Sequence, residues 1–178
     1  MKIKLISALV LTAAATTSQL AAASDGVITI TGNVTAQTCT IIGCAAARNF
    51  TVALPKVSAA SLGANGATAG RTPFSITLSA CDPATGAVHT FFEAGPTTDA
   101  ASGRLNLVGG GARNVQIELL NSDMSAIRAG AADASQNSKP VTLASGAGTL
   151  SYYAQYVATG VASAGAANTN VTYTIAYQ

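Results

Sequence analysis

The two ends of the chain, once a short leader is set aside, both alternate polar and apolar side chains. The last nine residues, from Asn170 to Gln178, alternate up to the final position, and so does the run from Gly26 to Val34. A period of two is typical of a β-strand with one buried face. Strands at both ends leave two potential sheet edges, and an uncovered edge invites another chain to pair with it. The sequence therefore predicts a unit that is completed by a neighbouring chain.

Short alternating segments also fill the region between these ends, and helical periodicity is absent. Turn signals such as Asp82-Pro83 and Gly109-Gly110-Gly111 separate them. The predicted strands span residues 49–54, 73–80, 88–94, 104–108, 113–121, 141–144, 149–158 and 170–178. Residues 58–70 are typical of a loop with one helical turn. Many short strands at this spacing predict an all-β fold, a β-sandwich within one domain.

Residues 1–23 have the features of a secretory signal peptide. Lys2 and Lys4 give a positive start, an apolar run follows, and Ala21-Ala22-Ala23 suits cleavage after Ala23. We expect an exported chain without a membrane anchor. Removal of the leader leaves seven basic and seven acidic residues, so no basic patch remains for nucleic acid.

Export places the three cysteines in an oxidising compartment, where at least one disulfide is expected. Three single pairings are possible among Cys39, Cys44 and Cys81. The sequence favours Cys39–Cys81, because both residues end predicted strands and the bond closes a loop of about 40 residues. A Cys39–Cys44 bond would close a small loop and stabilise far less. Cys44 is then either a buried free thiol or a link between chains.

Residues with catalytic or metal-binding potential are sparse. His89 is the one histidine, and we expect it to be partly exposed on a strand without a Ser–Asp or Cys partner. Asp82, Asp99, Asp123 and Asp133 fall in predicted turns and lack the spacing of a calcium loop. The sequence therefore predicts no enzymatic activity, no metal and no cofactor.

Six segments stand in an order and spacing that resembles one family. They are residues 28–34 (ITITGNV), 38–41 (TCTI), 52–57 (VALPKV), 70–76 (GRTPFSI), 114–121 (NVQIELLN) and 152–160 (YYAQYVATG). Together they resemble the subunits of type 1-like fimbriae assembled by the chaperone–usher route. Tyr177 in the penultimate position and Gly165 fourteenth from the end are similar to that family's chaperone-recognition pattern. Cys44 is a departure from the family.

The resemblance implies an incomplete immunoglobulin-like β-sandwich that lacks its last strand. Residues 24–36 would be a donor-strand extension and residues 37–178 the pilin domain. A periplasmic chaperone would lend the missing strand first, an outer-membrane usher would receive the complex, and the front strand of the next subunit would then replace the chaperone. The implied donor face comprises Ile28, Ile30, Gly32 and Val34, with Gly32 over a shallow pocket. The implied chaperone and acceptor residues are Gly165, Val171, Tyr173, Ile175 and Tyr177.

The function implied is that of a structural subunit, of the major type, in an adhesive fimbria outside the cell. Its partners would be identical or related subunits. Two alternatives remain at this point: a minor or adaptor subunit, and a small secreted carbohydrate-binding β-sandwich. A ladder of stable multimers in mild detergent would favour the structural subunit over a lone binding module.

Overall fold

Two antiparallel β-sheets contain nearly all the regular structure in residues 38–43 and 48–178, the part of the chain that the computed structural model describes. The strands are β1 (Thr38–Ile42), β2 (Thr68–Asp82), β3 (Gly86–Phe92), β4 (Leu105–Asn106), β5 (Val115–Asn121), β6 (Ala126–Ile127), β7 (Val141–Leu143), β8 (Gly148–Ala158) and β9 (Tyr173–Tyr177). A single 3-10 turn covers Ala59–Leu62, and a short helix, α1, covers Asp133–Gln136. The predicted all-β class is confirmed.

The larger sheet has the strand order β1-β2-β8-β5-β4, with β6 also paired to β5. The smaller sheet has the order β7-β3-β9. Strand β9 therefore has one neighbour, β3, among the described residues, and its other edge is unpaired. The strand at the C-terminus is thus an edge strand, as the alternation predicted.

The core lies between the inner faces of the two sheets. Alternate residues of β2 and β8 point into it, so that Phe74 pairs with Tyr152 and Ile76 with Leu150 across the ladder. The Tyr152 ring lies 5.5 Å from the rings of both Phe74 and Phe92, which belong to different sheets. Aromatic pairs at this distance add about 0.5–1.5 kcal/mol beyond their burial. Tyr152 therefore joins the two layers.

One predicted strand does not form. Residues 49–54 are extended and alternate between half-buried and exposed, but they are not paired in either sheet. Strand β2 is longer than predicted and begins at Thr68, with a register shift between Ala69 and Thr72. The reading of residues 58–70 as a loop is therefore wrong at its end, although the helical turn is present. Gly70 lies within β2, but glycine is typical of turns, so the sequence does not predict the first part of this strand.

The Cys39–Cys81 disulfide is present and joins β1 to β2. Cys81 is buried at the edge of the core, and Cys39 packs against it from β1. Cys44 lies outside the described residues, as do the signal peptide and the front strand with Ile28, Ile30, Gly32 and Val34.

The expectation that His89 is partly exposed is wrong. The His89 residue retains only 3% of its accessible surface, and its Nε2 lies 2.6 Å from Asp133 Oδ1. Asp133 opens α1, and the buried Gln136 of the same helix accepts a hydrogen bond from Phe92 N and donates one to Phe92 O. Helix α1 therefore covers the outer face of β3, which strand periodicity alone could not reveal.

Replacing Cys39 and Cys81 with Ser should lower the free energy of unfolding by roughly 3–4 kcal/mol, because an open loop of this length gains entropy in the unfolded chain. Equilibrium unfolding in urea measures the loss. Cys44→Ser is the matched control and should leave both the urea midpoint and the non-reducing peptide map unchanged. A disulfide-linked peptide that contains Cys44 in the wild-type protein would contradict the assignment.

Candidate functional site: an open groove beside the last strand

An apolar cleft of about 920 Å³ lies between β9 and residues 48–54. Its floor is formed by core side chains from both sheets. These are Phe74, Ile76, Phe92, Leu105, Ile117, Ala154 and Ile175. An apolar opening into the core is a recognised sign of a protein-binding surface or of an aggregation hazard. We call this cleft, with its two walls, the groove.

Strand β9 and the two residues before it, Val171 and Thr172, form the first wall. Val171, Tyr173, Ile175 and Tyr177 all line the groove, and they pack against the core. One backbone edge of β9 pairs with β3, with Ile175 opposite Thr90. Two further backbone hydrogen bonds extend this ladder: Glu93 N donates to Thr172 O, and Gln178 N donates to Ala87 O. The other edge faces the groove and pairs with no described strand. The wall therefore offers a row of backbone donors and acceptors that no described strand uses.

Residues 48–54 form the second wall. Phe50, Val52 and Leu54 are half-buried and pack against the core, whereas Thr51 and Ala53 are exposed. The backbone of residues 48–57 forms no hydrogen bond with the backbone of any other described residue. This segment has the alternation of a strand and lacks the neighbour that would make it one. The prediction of a strand at residues 49–54 is wrong for that reason: the segment is extended but has no paired neighbour among the described residues.

The two walls touch at one point. The rings of Phe50 and Tyr173 are 6.2 Å apart, and the Tyr173 hydroxyl donates a hydrogen bond to Arg48 O at 2.8 Å. Burial raises the pKa of Tyr173 above its usual value, against an opposing effect of the Arg48 charge, so the hydroxyl stays protonated and able to donate. The Tyr173 side chain therefore bridges the two walls, and we call this point the constriction.

A second cleft of about 500 Å³ shares Ala167 and Asn168 with the groove. Its lining contains Val57, Leu62, Val115 and Tyr156, together with small residues from the segment 162–167. Burial raises the pKa of Tyr156 in this lining. Lys56 is the one charged residue among the described residues that line this second cleft.

Gly165 lines the second cleft and lies apart from β9. A Cβ on Gly165 would come within 2.5 Å of Ala112 N, and a Cβ on Gly111 would come within 2.0 Å of Ala166 O. The backbones of these two segments therefore meet closely, and Ala112 N donates to Ala166 O at 2.8 Å. The structure gives Gly165 a role within the subunit, which the resemblance to a recognition pattern did not suggest.

The structure brings four of the five sequence-predicted acceptor residues together on one wall. Sequence reasoning missed the second wall as part of the site, along with Arg48 and Phe50 at the constriction. The available signal is the alternation of residues 49–54, which by itself predicts an ordinary paired strand. The predicted donor residues Ile28, Ile30, Gly32 and Val34 lie outside the described residues.

Comparison with known proteins gives a consistent result. The profile of the FimA family, described as type-1 fimbrial protein A, matches residues 54–178. The chain is 47% identical over 171 residues to the F17 fimbrial protein of Escherichia coli, covering 93% of this chain and 94% of that relative. It is 44% identical over 161 residues to the major fimbrial subunit SMF-1 of Stenotrophomonas maltophilia, covering 87% and 94%. A solved chaperone–usher pilus structure aligns with a TM-score of 0.62 at 21% identity, over 87% of this chain and 96% of that chain. A likeness at this level of identity shows a shared fold.

These matches define the class: the chain is a structural subunit of an extracellular fimbria. More specifically, it belongs to the type-1 fimbrial protein A family. None of the helices within the described residues has the length and hydropathy needed to cross a bilayer. The described residues also contain no cluster of three metal-binding side chains.

Gly165→Ala should lower the free energy of unfolding by roughly 1–3 kcal/mol, because the new methyl group displaces the backbone of Ala112. The urea unfolding midpoint of the purified subunit measures this effect. Gly95→Ala is the matched control, since nothing lies within 4 Å of its Cβ position. Unchanged stability of Gly165→Ala, with weakened chaperone binding, would show that Gly165 acts between proteins instead.

Proposed function

We propose that this chain is a major fimbrial subunit that polymerises by accepting the front strand of the next subunit in the groove. One observation carries the proposal: two backbone edges that pair with no described strand, β9 and residues 48–54, face each other across an opening into the core. An inserted strand could bond to both edges at once. This is strand addition, in which backbone hydrogen bonds supply affinity and alternate side-chain pockets supply specificity.

The length of the predicted donor face supports the proposal. Six residue steps separate Ile28 from Val34, and six separate Val171 from Tyr177. At a rise of about 3.3 Å per residue, each run spans roughly 20 Å. The apolar donor side chains would cover the exposed floor of the groove, and each buried Ile or Val contributes roughly 1.5–3 kcal/mol.

The constriction favours one direction for the donor. With an antiparallel donor whose Val34 lies opposite Val171, Gly32 falls opposite Tyr173, where the walls touch. A parallel donor would place Ile30 there instead, and its side chain would meet the rings of Phe50 and Tyr173. Glycine carries no side chain and lets two backbones approach closely. The antiparallel donor is therefore favoured, with Gly32 at the constriction.

A free groove of this kind requires cover before assembly, because exposed apolar surface and an unpaired edge both promote aggregation. We infer that a periplasmic chaperone occupies the groove first and that an outer-membrane usher guides the exchange, as the family resemblance implies. The relative named as a major fimbrial subunit supports a major over a minor or adaptor role. No observation favours the carbohydrate-binding alternative.

The donor face can be tested with a matched pair of substitutions. A synthetic peptide of residues 24–37 should bind a subunit that lacks residues 24–35. Ile30→Asp should weaken its binding at least 100-fold, since a carboxylate would be buried without a partner. The neighbouring Thr31→Asp points outward and should change binding less than fivefold. Binding is measured by competition with labelled wild-type peptide, and equal losses for both variants would contradict the proposed face.

The constriction can be tested by a double-mutant cycle. Gly32→Leu in the peptide should slow its insertion about 10-fold, because overpacking typically costs 1–3 kcal/mol. Tyr173→Ala in the acceptor should relieve most of that difference, whereas Ile175→Ala should not. The insertion rate is followed by stopped-flow fluorescence of a labelled peptide. Relief by Ile175→Ala alone would indicate a parallel donor, and a wild-type rate for Gly32→Leu would eliminate the constriction as a determinant.

A further inference from the structure

Among the described residues, the charged side chains of Asp82, Arg48, Lys56 and Arg113 have no hydrogen-bond or ion-pair partner. Asp82 is the one described carboxylate whose side chain makes no hydrogen bond or ion pair. The others, Glu93, Asp99, Glu118, Asp123 and Asp133, all contact a neighbouring side chain. Lys56 is exposed and also has no described partner for its ammonium group. Surface charges that are left unpaired in one subunit are available for contacts with another.

Asp82 stands at the root of the proposed donor strand. It pairs with Thr38, the first residue of β1, and follows the disulfide-bonded Cys81. The turn at 82–85 is exposed, yet it is held in place by the disulfide and by a 2.8 Å hydrogen bond from Gly146 N to Ala84 O. A rigid, exposed turn therefore accompanies the donor strand where it leaves its own subunit.

Lys56 lies two residues beyond Leu54, the last residue of the second wall, and lines the second cleft. The second cleft, whose lining includes Lys56, adjoins the groove and shares the lining residues Ala167 and Asn168 with it. Asn168 is three residues before Val171, a separation of at most about 10 Å. Four residue steps lead from Val34 to Thr38 and span at most about 14 Å. The donor subunit's own turn is therefore within reach of the second cleft.

We propose that the second cleft docks the turn 82–85 of the donor subunit, with Asp82 of that subunit facing Lys56 of the acceptor. This inference rests on the proposed strand exchange and on its antiparallel direction. Pro83 and Ala84 are exposed and small enough to enter a cleft lined by alanines, Val57 and Tyr156. The occupant is thus a second copy of this chain, and the contact adds a second point of attachment to the inserted strand.

A second attachment has a consequence for the fibre. A donor strand alone would tie two subunits only through the chain between Val34 and Thr38, about which the domains could rotate. Docking of a disulfide-anchored turn beside the groove fixes that rotation. The second cleft therefore helps to set the angle between successive subunits.

The direct test is zero-length crosslinking of assembled fibres by a carbodiimide, which joins a Lys amine to an Asp carboxyl group. Fibres are grown from an equal mixture of unlabelled and ¹⁵N-labelled subunits and analysed by mass spectrometry. We expect a Lys56–Asp82 crosslinked peptide in which about half of the pairs combine one light and one heavy partner. Fibres that form without this crosslink, or with light–light and heavy–heavy pairs alone, overturn the inference and leave strand exchange intact. Failure to form fibres counts against strand exchange itself.

Charge reversal gives an independent test. Lys56→Glu and Asp82→Lys should each slow the initial polymerisation rate of chaperone-bound subunits about two- to fivefold at low salt, and high salt should erase the difference. The double variant should recover the wild-type rate. Arg113→Glu is the matched control, since Arg113 flanks the same cleft through its backbone bond to Ser163 Oγ. Rescue of Asp82→Lys by Arg113→Glu, and not by Lys56→Glu, would overturn the assignment.

Discussion

The unpaired edge of β9 is the constraint on which the rest of this structure depends. Backbone donors and acceptors that face an apolar opening must be satisfied, because a buried and unpaired backbone group is costly. The opposite wall, residues 48–54, has the same deficit for the same reason. Neither wall satisfies the backbone of the other, since no backbone hydrogen bond joins them among the described residues and the contacts between them are made by the Tyr173 side chain with Phe50 and Arg48 O. The single inserted strand that we propose would remove both deficits and cover the exposed core, which would link the fold to assembly.

The remainder of the fold keeps that edge in place without the missing strand. β9 rests on β3, and β3 is held from its outer side by α1 through the His89–Asp133 contact and the Gln136 side chain. On the inner side, Tyr152 bridges the two sheets. The groove is thus an opening in an otherwise packed sandwich, so the proposed incoming strand would meet a wall that is already supported.

Small residues are placed where backbones or rings must come close. Gly165 and Gly111 permit the contact between residues 111–112 and 165–166, which shapes the second cleft. Gly70 has a positive φ of 66° and lies under the Tyr156 ring, where a Cβ would clash at 2.8 Å. The same logic applies to the proposed position of Gly32 at the constriction. In each case the absence of a side chain determines how closely two elements approach.

Local alternation determined much of this protein from the sequence alone. It correctly located β5, β8 and β9, because the period of two depends only on which face of a strand is buried. It also placed Cys39 and Cys81 at strand ends, which favoured the observed disulfide. Only the tertiary structure decided that residues 49–54 remain unpaired, that His89 is buried under α1, and that Gly165 meets Ala112. These outcomes depend on which distant segments become neighbours, and a pattern along one segment carries no information about the surface packed against it.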